Sequence, residues 1–513
     1  MISLTGAGPR MVDSTTPTPQ HPSLQEPPAD APLMLQRPLS LALALAPLLV
    51  ASPPAAAQTI VKNTRQAGFV ALPGSNFTAG LWAFEGSNGR QYCLQTHLNN
   101  GLYVIDTTDT SAPTVVSTVL GYYRKVAVYQ DHAYATADSV PTWVIDLSDP
   151  TQATAVNSLA AGAHTLRVDE TNGRLYLNRS SSMQVYDLTQ DPAAPQLLGT
   201  WTGPTHDCRP AGDLVYVNGS GGTRILDLSD PGSPVQLAAI PDGNHSSDVY
   251  HAPSGETYLL TCDEFTGGHL NVWNVTDPAQ PSWVSKYQTP TNGSTSVHNV
   301  EVKGAYAYLG YYLDQLRILD LSNPNDPAEV GVWDNNPENT GVWWDDAWDA
   351  IPDHDAVYMN QQLDTPAGPK GLYTLDFFPA FGTASAGAGG VEPEIWWSFG
   401  PPSPGNADFG MRLSNAAPDS FAFLLIGASR TSWGPVSLPY ALGAIDAPNA
   451  LLQVSPDLWV GAATDSDGEA LLSLPLSASL PNVTLYAQWI VKDPGAPNPG
   501  GWAVTKGGEL VLQ

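Results

Sequence analysis

One short pattern recurs seven times along this chain, and it constrains the fold more than any other feature of the sequence. Each copy is an apolar stretch that ends in Asp or Asn, and the copies follow one another at intervals of 40–56 residues. The copies end at Asp106, Asp146, Asp187, Asp227, Asn274, Asp320 and Asp376. Self-similarity at this period is typical of architectures in which each repeat is one supersecondary unit.

A polar turn follows most of these stretches, as in Leu228-Ser-Asp-Pro231 and Leu321-Ser-Asn-Pro324. Asp and Ser side chains accept hydrogen bonds from amides two residues ahead, and Pro fixes its own φ, so the pattern predicts a turn between two strands. We therefore interpret the repeated Asp residues as turn formers rather than as metal ligands.

Further short apolar segments precede each Asp-ending stretch, and the nearest one often contains Tyr, as in Asp213-Leu-Val-Tyr-Val217. Four strands in about 40–50 residues is the pattern of a β-propeller blade. The sequence therefore predicts an all-β fold, with a seven-bladed β-propeller over residues 58–380. The seventh unit lacks a fourth strand, and we expect residues 60–72 to supply it, so that no sheet edge stays open.

The remaining residues predict a second domain. A Gly/Ala/Ser-rich segment at 381–392 is expected to be a linker, and alternating apolar stretches such as 421–426 and 470–475 are separated by turn residues. This alternation predicts a small β-sandwich over residues 393–513.

The N-terminal segment has the pattern of an export signal. An apolar run at 39–51 follows Arg37 and precedes Ala55-Ala56-Ala57. We expect a signal peptide over 34–57, cleaved near Ala57-Gln58, and a secreted or cell-envelope location. Residues 1–33 are expected to be a disordered extension or to be absent from a protein translated from Met34. No other run is long enough to predict a transmembrane segment in the mature chain.

Charge and cysteine content restrict the partners. The chain has 20 Lys+Arg against 49 Asp+Glu, a formal net charge of −29, which argues against nucleic acid as a partner because phosphate binding needs a basic face. Three cysteines allow at most one internal disulfide. We expect a monomer whose partners are extracellular proteins or glycans.

A candidate site follows from the predicted propeller. The innermost strand of each blade lines the central channel, so residues near the start of these strands converge on one mouth. Counting ten residues back from the second-strand Tyr selects most positions, with Ser247 or His245 as alternatives in the fifth unit and acidic residues close in sequence. The candidates are Trp82, Arg124, His164, His206, Asp207, His245, Asp263, Glu264, His298 and Trp348.

These residues support more than one interpretation. Several histidines with nearby carboxylates could bind a divalent metal such as calcium or zinc, or an anionic or sugar-like ligand. Each His could instead bond the backbone of the neighbouring blade and fix blade packing. The sequence lacks Gly-x-Ser-x-Gly, His-Glu-x-x-His and Cys-x-x-Cys signatures. A binding or scaffold module is therefore the favoured function, and the alternative is a metal-assisted hydrolase or lactonase with Asp263 or Glu264 as base.

The repeats resemble the LVIVD-repeat family, and in particular the secreted choice-of-anchor B proteins. Segments longer than the bare repeat carry this resemblance, including Ala163-His-Thr-Leu-Arg-Val-Asp169 and Ser296-Val-His-Asn-Val-Glu-Val-Lys303. The resemblance implies an exported propeller that a C-terminal device fixes to the envelope. Residues 393–513 are similar instead to a small all-β domain of secreted planctomycete-type proteins, through Val483-Thr-Leu-Tyr-Ala-Gln-Trp-Ile-Val-Lys-Asp493.

Overall fold

The computed structural model describes most of the chain after its first 59 residues. The described residues are 60–74, 77–138, 140–290, 294–337, 341–353, 356–364, 369–398, 402, 404–481 and 483–512. The predicted extension at 1–33 and the predicted signal peptide at 34–57 lie outside them. Helical structure in the described part is limited to the 3-10 turns Pro150–Gln152, Ala388–Gly390 and Gly443–Ile445. No helix of this part is long and apolar enough to cross a membrane.

Each of the seven repeats forms one antiparallel sheet, and we number these repeat sheets 1 to 7 in chain order. The strands of repeat sheet 1 are Thr78–Glu85, Gln91–His97, Gly101–Asp106 and Thr114–Val119. Those of repeat sheet 2 are Lys125–Tyr129, His132–Ala137, Val140–Asp146 and Thr154–Leu159. Those of repeat sheet 3 are Thr165–Asp169, Arg174–Asn178, Ser180–Asp187 and Gln196–Thr205.

The next sheets keep the same order. Repeat sheet 4 contains Asp207–Ala211, Leu214–Gly219, Gly222–Asp227 and Val235–Ile240. Repeat sheet 5 contains Ser247–His251, Thr257–Cys262, Leu270–Asn274 and Ser282–Tyr287. Repeat sheet 6 contains Asn299–Lys303, Tyr306–Gly310, Leu316–Asp320 and Ala328–Asp334, and repeat sheet 7 contains Ala347–Asp353, Ala356–Gln361 and Gly371–Phe377.

The repeated Asp residues form turns, as the sequence predicts. In repeat sheet 4, Asp227 Oδ1 accepts a hydrogen bond from the amide of Ser229 at 2.9 Å, and Asp320 Oδ1 accepts from Ser322 at 2.8 Å in repeat sheet 6. Asn274 makes the same contact with the amide of Thr276 at 3.0 Å. The amide side chain can replace the carboxylate there because the turn needs an acceptor oxygen and no charge.

An N-terminal strand completes repeat sheet 7. Thr64–Ala71 pairs antiparallel with Gly371–Phe377 and covers its outer edge. The prediction that residues 60–72 supply the missing strand is therefore confirmed for this strand. It is wrong for the first residues, because Ile60–Lys62 pairs with Ala328–Asp334 and extends repeat sheet 6 to five strands.

The seven sheets follow one another in a closed cycle. The first strand of each sheet contacts the first strand of the next, and Ala347–Asp353 of repeat sheet 7 contacts Thr78–Glu85 of repeat sheet 1. The apolar core lies between neighbouring sheets, as where Leu94 and Val104 pack against Val126 and Ile145. This all-β arrangement of four-stranded sheets fits a β-propeller.

The C-terminal residues form further antiparallel sheets. A six-stranded sheet contains Ala380–Phe381, Gly507–Leu512, Val483–Lys492, Phe421–Gly427, Leu458–Ala463 and Trp502–Val504. A three-stranded sheet contains Glu394–Ser398, Gly410–Ser414 and Ala470–Ser473. Two hairpins pair Ser432–Trp433 with Val436–Ser437 and Tyr440–Leu442 with Ala447–Leu452.

The start of the predicted linker is part of this C-terminal structure. Phe381 pairs with Gly507, and Ser385 forms a bridge with Val504. The three cysteines, Cys93, Cys208 and Cys262, are buried and form no disulfide.

Candidate functional site

Six of the predicted side chains converge because they occupy corresponding places in their repeats. Each lies just before or at the start of the first strand of its sheet, and those first strands contact one another around the cycle. The six residues are Arg124, His164, His206, His245, His298 and Trp348. They line a cavity of about 280 Å³, here called the mouth cavity, together with Lys125, Thr165, Asp207, Glu264 and Asn299.

The six side chains form a continuous ring. We call the four imidazoles of His164, His206, His245 and His298 the histidine arc. Successive ring centroids along the arc lie 4.6, 4.2 and 4.3 Å apart, and Trp348 lies 4.3 Å beyond His298.

Two further contacts close the ring. The guanidinium carbon of Arg124 lies 6.0 Å from the Trp348 ring centroid, within the range of a cation–π contact. Asp138 then joins Arg124 to His164, at 3.4 Å and 2.7 Å respectively.

Backbone carbonyls fix the tautomers of two imidazoles. His245 Nδ1 lies 2.8 Å from the carbonyl oxygen of His298, and His298 Nδ1 lies 2.7 Å from that of Trp348. A carbonyl oxygen only accepts hydrogen bonds, so each Nδ1 carries the proton and donates it. In the neutral ring, Nε2 then bears the lone pair. His206 differs, because its Nδ1 is buried without a hydrogen-bond partner.

Burial keeps three imidazoles of the arc, those of His206, His245 and His298, uncharged near neutral pH. Loss of hydration lowers the pKa of His206 to about 3, and the neighbouring His245 and His164 lower it further. Burial likewise lowers the pKa of His245 to about 3 and that of His298 well below its ordinary value. Neutral imidazoles bind metal ions and hydrogen-bond to polar ligands, whereas imidazolium cannot bind a metal.

Glu264 brings a carboxylate to the histidine arc. It follows the second strand of repeat sheet 5, and its Oε2 lies 3.4 Å from Nε2 of His245. The hydroxyl of Tyr312 donates to the other oxygen, Oε1. His206, His245 and Glu264 each offer one ligand atom, and these atoms lie within 4.8 Å of one another, so this group could hold a metal ion.

Tyr312 is a residue that the sequence analysis missed. Its ring lies 4.8 Å from that of His298, and its backbone has φ of 36°, a conformation that a bulky residue rarely adopts. It lies outside the repeated strands, in the turn between the second and third strands of repeat sheet 6. No periodic pattern marks such a position.

Asp207 lines the mouth cavity, but its carboxylate is already paired. It lies 3.2 Å from the guanidinium of Arg167, and both side chains are almost fully buried. Lys125, which the sequence analysis did not select, is bound in a similar way by Asp349 at 3.2 Å. The two charged residues that line this part of the cavity, Asp207 and Lys125, therefore each have a buried partner of opposite charge.

Trp82 does not line the mouth cavity, contrary to the expectation from counting back from Tyr92. Tyr92 pairs with Asp106, whereas Tyr134 pairs with Val144, two residues before the corresponding Asp. Tyr92 is therefore not the equivalent of Tyr134. The count still ends too far along the strand, because the turn between the first two strands covers residues 86–90 in repeat sheet 1 but only 130–131 in repeat sheet 2. Trp82 lines a separate cavity of about 320 Å³ with Arg167, Arg209 and Glu301, here called the arginine cavity.

Asp263 also does not line the mouth cavity. Its carboxylate accepts a hydrogen bond from the amide of Gly243 at 2.8 Å and from the side-chain amide of Asn271 at 3.0 Å. It therefore holds the segment that leads to His245. Ser247, the alternative to His245, donates its hydroxyl to Asn218 Oδ1 at 2.7 Å and does not line the mouth cavity.

The arginine cavity contains an ion-pair network that the sequence analysis missed. Arg167 contacts Asp207 and Glu301 at 3.2 and 2.5 Å, and Arg209 contacts Glu301 and Asp248 at 3.0 and 2.5 Å. Although burial opposes it, the two guanidinium groups lower the pKa of Glu301 to about 2. The strand register places a recurring Tyr of the second strand opposite each of these charged residues: Tyr176 opposite Arg167, Tyr216 opposite Arg209 and Tyr308 opposite Glu301. The repeat register therefore contains a signal for them.

Comparisons with known proteins find a repeat family model and solved structures that are similar to this chain. No curated protein matches this chain. A crystal structure of a Bacteroides uniformis protein, provisionally described as a 6-phosphogluconolactonase, is similar with a TM-score of 0.41 and 14% sequence identity, covering 50% of this chain and 86% of that one. The LVIVD repeat family model matches residues 294–335. The predicted resemblance to LVIVD repeats is therefore confirmed for the segment that contains repeat sheet 6.

Proposed function

We propose that this protein is an exported binding module that holds a small polar ligand in the mouth cavity. In this proposal residues 58–380 form a seven-bladed β-propeller, 393–513 form a β-sandwich, and removal of 34–57 accompanies export. The observation that carries the proposal is the convergence of the histidine arc, Arg124 and Trp348, from six different repeats, on one cavity of about 280 Å³.

A packing role alone accounts for only part of the arc. His245 and His298 each bind a backbone carbonyl through Nδ1, as the packing interpretation expects. His206 does not follow that pattern, because its Nδ1 is buried and unpartnered. A buried polar atom without a partner lowers stability by about 1–3 kcal/mol, so its retention favours a ligand that satisfies it.

The size and lining of the cavity indicate the class of ligand. Its volume of about 280 Å³ is at the small end for ligand pockets, so it suits one sugar unit or a group of that size. The Trp348 ring offers an apolar face, while imidazole nitrogens and Arg124 offer polar contacts to hydroxyl or carboxylate groups. An extracellular glycan that inserts one terminal unit fits this combination.

A thermal-shift screen tests the proposal directly. The probes are neutral monosaccharides and sugar acids at millimolar concentration, each measured with and without Zn²⁺. We expect at least one probe to raise the Tm of the wild-type protein, because a ligand that binds only the native state stabilises it. The rise should disappear in Trp348→Ala.

Trp433→Ala provides the matched control, because Trp433 is 47% exposed and lies in a C-terminal hairpin. The probe response should persist in this variant. If no probe raises the Tm, or if the response survives Trp348→Ala, the mouth cavity is not the ligand site and the proposal fails.

Export needs a separate test. The full chain is produced in a bacterial host, and the protein outside the cytoplasm is sequenced from its N terminus. We expect this sequence to begin at Gln58. Protein that stays in the cytoplasm with residues 34–57 attached would contradict export.

A further inference from the structure

We propose that His206, His245 and Glu264 form a binding site for one transition-metal ion of the zinc class. This inference rests on the proposed function, since it assigns part of the same cavity to a metal. The three residues come from different parts of the repeat array: His206 precedes the first strand of repeat sheet 4, and His245 and Glu264 flank two strands of repeat sheet 5.

The spacing of the donor atoms suits a single ion. His245 Nε2 and Glu264 Oε2 are 3.4 Å apart. Zinc binds nitrogen and oxygen ligands at about 2.0–2.2 Å, so two donors on a tetrahedral ion lie about 3.4 Å apart. A ring nitrogen of His206 lies within 4.8 Å of both, so a small side-chain adjustment would complete three ligands.

The same pair of atoms is unfavourable without a cation. His245 Nδ1 donates its proton to the carbonyl oxygen of His298, which leaves the lone pair on Nε2. That lone pair faces an oxygen of Glu264, which also carries lone pairs when ionised. A cation between the two atoms would bind both.

Tyr312 and His298 orient these ligands from outside the site. The Tyr312 hydroxyl donates to Oε1 of Glu264 and leaves Oε2 for the metal. The carbonyl of His298 fixes the tautomer of His245. Such outer hydrogen bonds are typical of metal sites in proteins, because they fix the direction and basicity of the ligand atoms.

The donor set selects the metal. Two imidazoles and one carboxylate suit zinc and neighbouring transition metals, whereas calcium and magnesium prefer oxygen ligands alone. Of the two metals expected from the sequence, the site therefore favours zinc over calcium. With three protein ligands the ion keeps one position toward the mouth cavity, where water or a polar group of the ligand could bind.

Metal titration of the untagged full-length protein tests this site. After treatment with EDTA and desalting, the protein is titrated with Zn²⁺ in competition with a chromogenic chelator, and Co²⁺ is added in a parallel sample to read the coordination geometry. We expect one equivalent of Zn²⁺ with a submicromolar Kd and an intense visible spectrum of four-coordinate Co²⁺. Millimolar Ca²⁺ should not displace either ion.

Three variants make the test specific. Glu264→Gln keeps the shape of the side chain but removes its charge, and we expect at least tenfold weaker Zn²⁺ binding. His206→Gln should alter the Co²⁺ spectrum and weaken binding by a similar factor. His132→Gln, in the second strand of repeat sheet 2 and outside the mouth cavity, is the control and should bind as wild type does.

The outcomes separate this inference from the proposed function. If Zn²⁺ does not bind, or binds equally in Glu264→Gln and His206→Gln variants that remain folded by circular dichroism, the metal site is wrong. A sugar response that is lost in Trp348→Ala would then leave the proposed function intact. If Zn²⁺ binds as expected but no sugar probe raises the Tm, the metal site stands and the proposed function fails.

Discussion

The guanidinium of Arg167, on repeat sheet 3, lies 2.5 Å from the carboxylate of Glu301, on repeat sheet 6. Glu301 also lies 3.0 Å from Arg209 of repeat sheet 4, which in turn contacts Asp248 of repeat sheet 5 at 2.5 Å. Ion pairs therefore join four sheets directly, in addition to the contacts between neighbouring first strands. Ordinary core packing joins only adjacent sheets, so this network holds together repeats that share no core.

Removing Arg167 should destabilise the fold strongly. Arg167→Met removes the charge but keeps a similar apolar length, and it leaves Asp207 and part of the Glu301 charge buried without their partner. Loss of one member of a buried ion pair lowers stability by about 3–5 kcal/mol. Urea unfolding followed by tryptophan fluorescence would measure the change.

Arg412→Met is the matched control for that experiment. Arg412 lies 2.7 Å from Glu469, but its side chain is 47% exposed. An exposed pair contributes at most about 1 kcal/mol, so this variant should unfold close to the wild-type midpoint. If the two substitutions lower the free energy of unfolding equally, the ion pairs of Arg167 contribute no more to stability than an exposed pair does.

The repeat register could be predicted from the sequence because it depends on local turn chemistry. The Asp227 and Asp320 turns fix where each third strand ends, and the first strands then meet around the cycle. The same counting failed at Trp82, because the turn between the first two strands covers residues 86–90 in repeat sheet 1 but only 130–131 in repeat sheet 2. A periodic count cannot detect such a shift without the pairing of the strands.

The sequence predicts that the histidines of the arc converge, because they occupy corresponding places in their repeats. It does not predict which groups these histidines contact. Which histidine meets Glu264 depends on the path of the segment between strands in repeat sheet 5. The Tyr312 contact and the pairing of Arg167 with Glu301 depend on distances across several repeats. No local sequence pattern encodes those distances.

Two buried groups should give opposite pH dependences of stability. Burial lowers the pKa of His206 to about 3, so below pH 6.5 the unfolded chain binds a proton that the folded protein does not. Stability from this group is therefore lost as the pH falls. The difference in unfolding free energy between wild type and His206→Gln should decrease by about 1 kcal/mol per pH unit between pH 6 and 4, in EDTA.

Asp334→Asn should show the reverse trend. Burial raises the pKa of Asp334 to about 6, against the opposing effects of the Asn336 amide and Arg317, so the folded protein binds the proton more tightly than the unfolded chain. The contribution of Asp334 to stability therefore increases as the pH falls from about 6 to about 4. Parallel urea series at each pH would measure both variants, and slopes of the same sign would contradict the assignment.

A methyl group at Gly222 should disrupt repeat sheet 4. This glycine begins the third strand with φ of 101°, and a Cβ there would lie 2.0 Å from the carbonyl oxygen of Ile240 in the fourth strand. Gly222→Ala therefore combines backbone strain with displacement of a paired strand. Gly212→Ala is the control, because Gly212 has φ of 66° but open space around the added methyl.

The two glycine variants separate strain from collision. Gly212→Ala should lower stability by about 1–2 kcal/mol, the usual effect of a left-handed conformation on a residue with a side chain. Gly222→Ala should lower it further, and hydrogen exchange should increase in Val235–Ile240. If the two variants lose the same free energy of unfolding and hydrogen exchange in Val235–Ile240 does not change, the added methyl group does not displace the fourth strand. The prediction is then wrong.

The N-terminal strand should be required for a stable, monomeric fold. Thr64–Ala71 pairs with Gly371–Phe377, and Leu72 directly after it is 2% exposed in an apolar cluster with Leu81 and Tyr358. A chain that begins at Pro73 loses these contacts, including the partial burial of Phe69 and the full burial of Leu72, which contributes about 1.5–3 kcal/mol. It also exposes the edge of Gly371–Phe377, which can then pair with another molecule.

For the chain that begins at Pro73 we therefore expect a lower Tm and concentration-dependent association by light scattering. A chain that begins at Asn63 is the control, because among the described residues it loses only the exposed strand Ile60–Lys62, and it should stay monomeric with a nearly unchanged Tm. If the chain from Pro73 melts like the control and stays monomeric, the seventh sheet does not need the N-terminal strand to close.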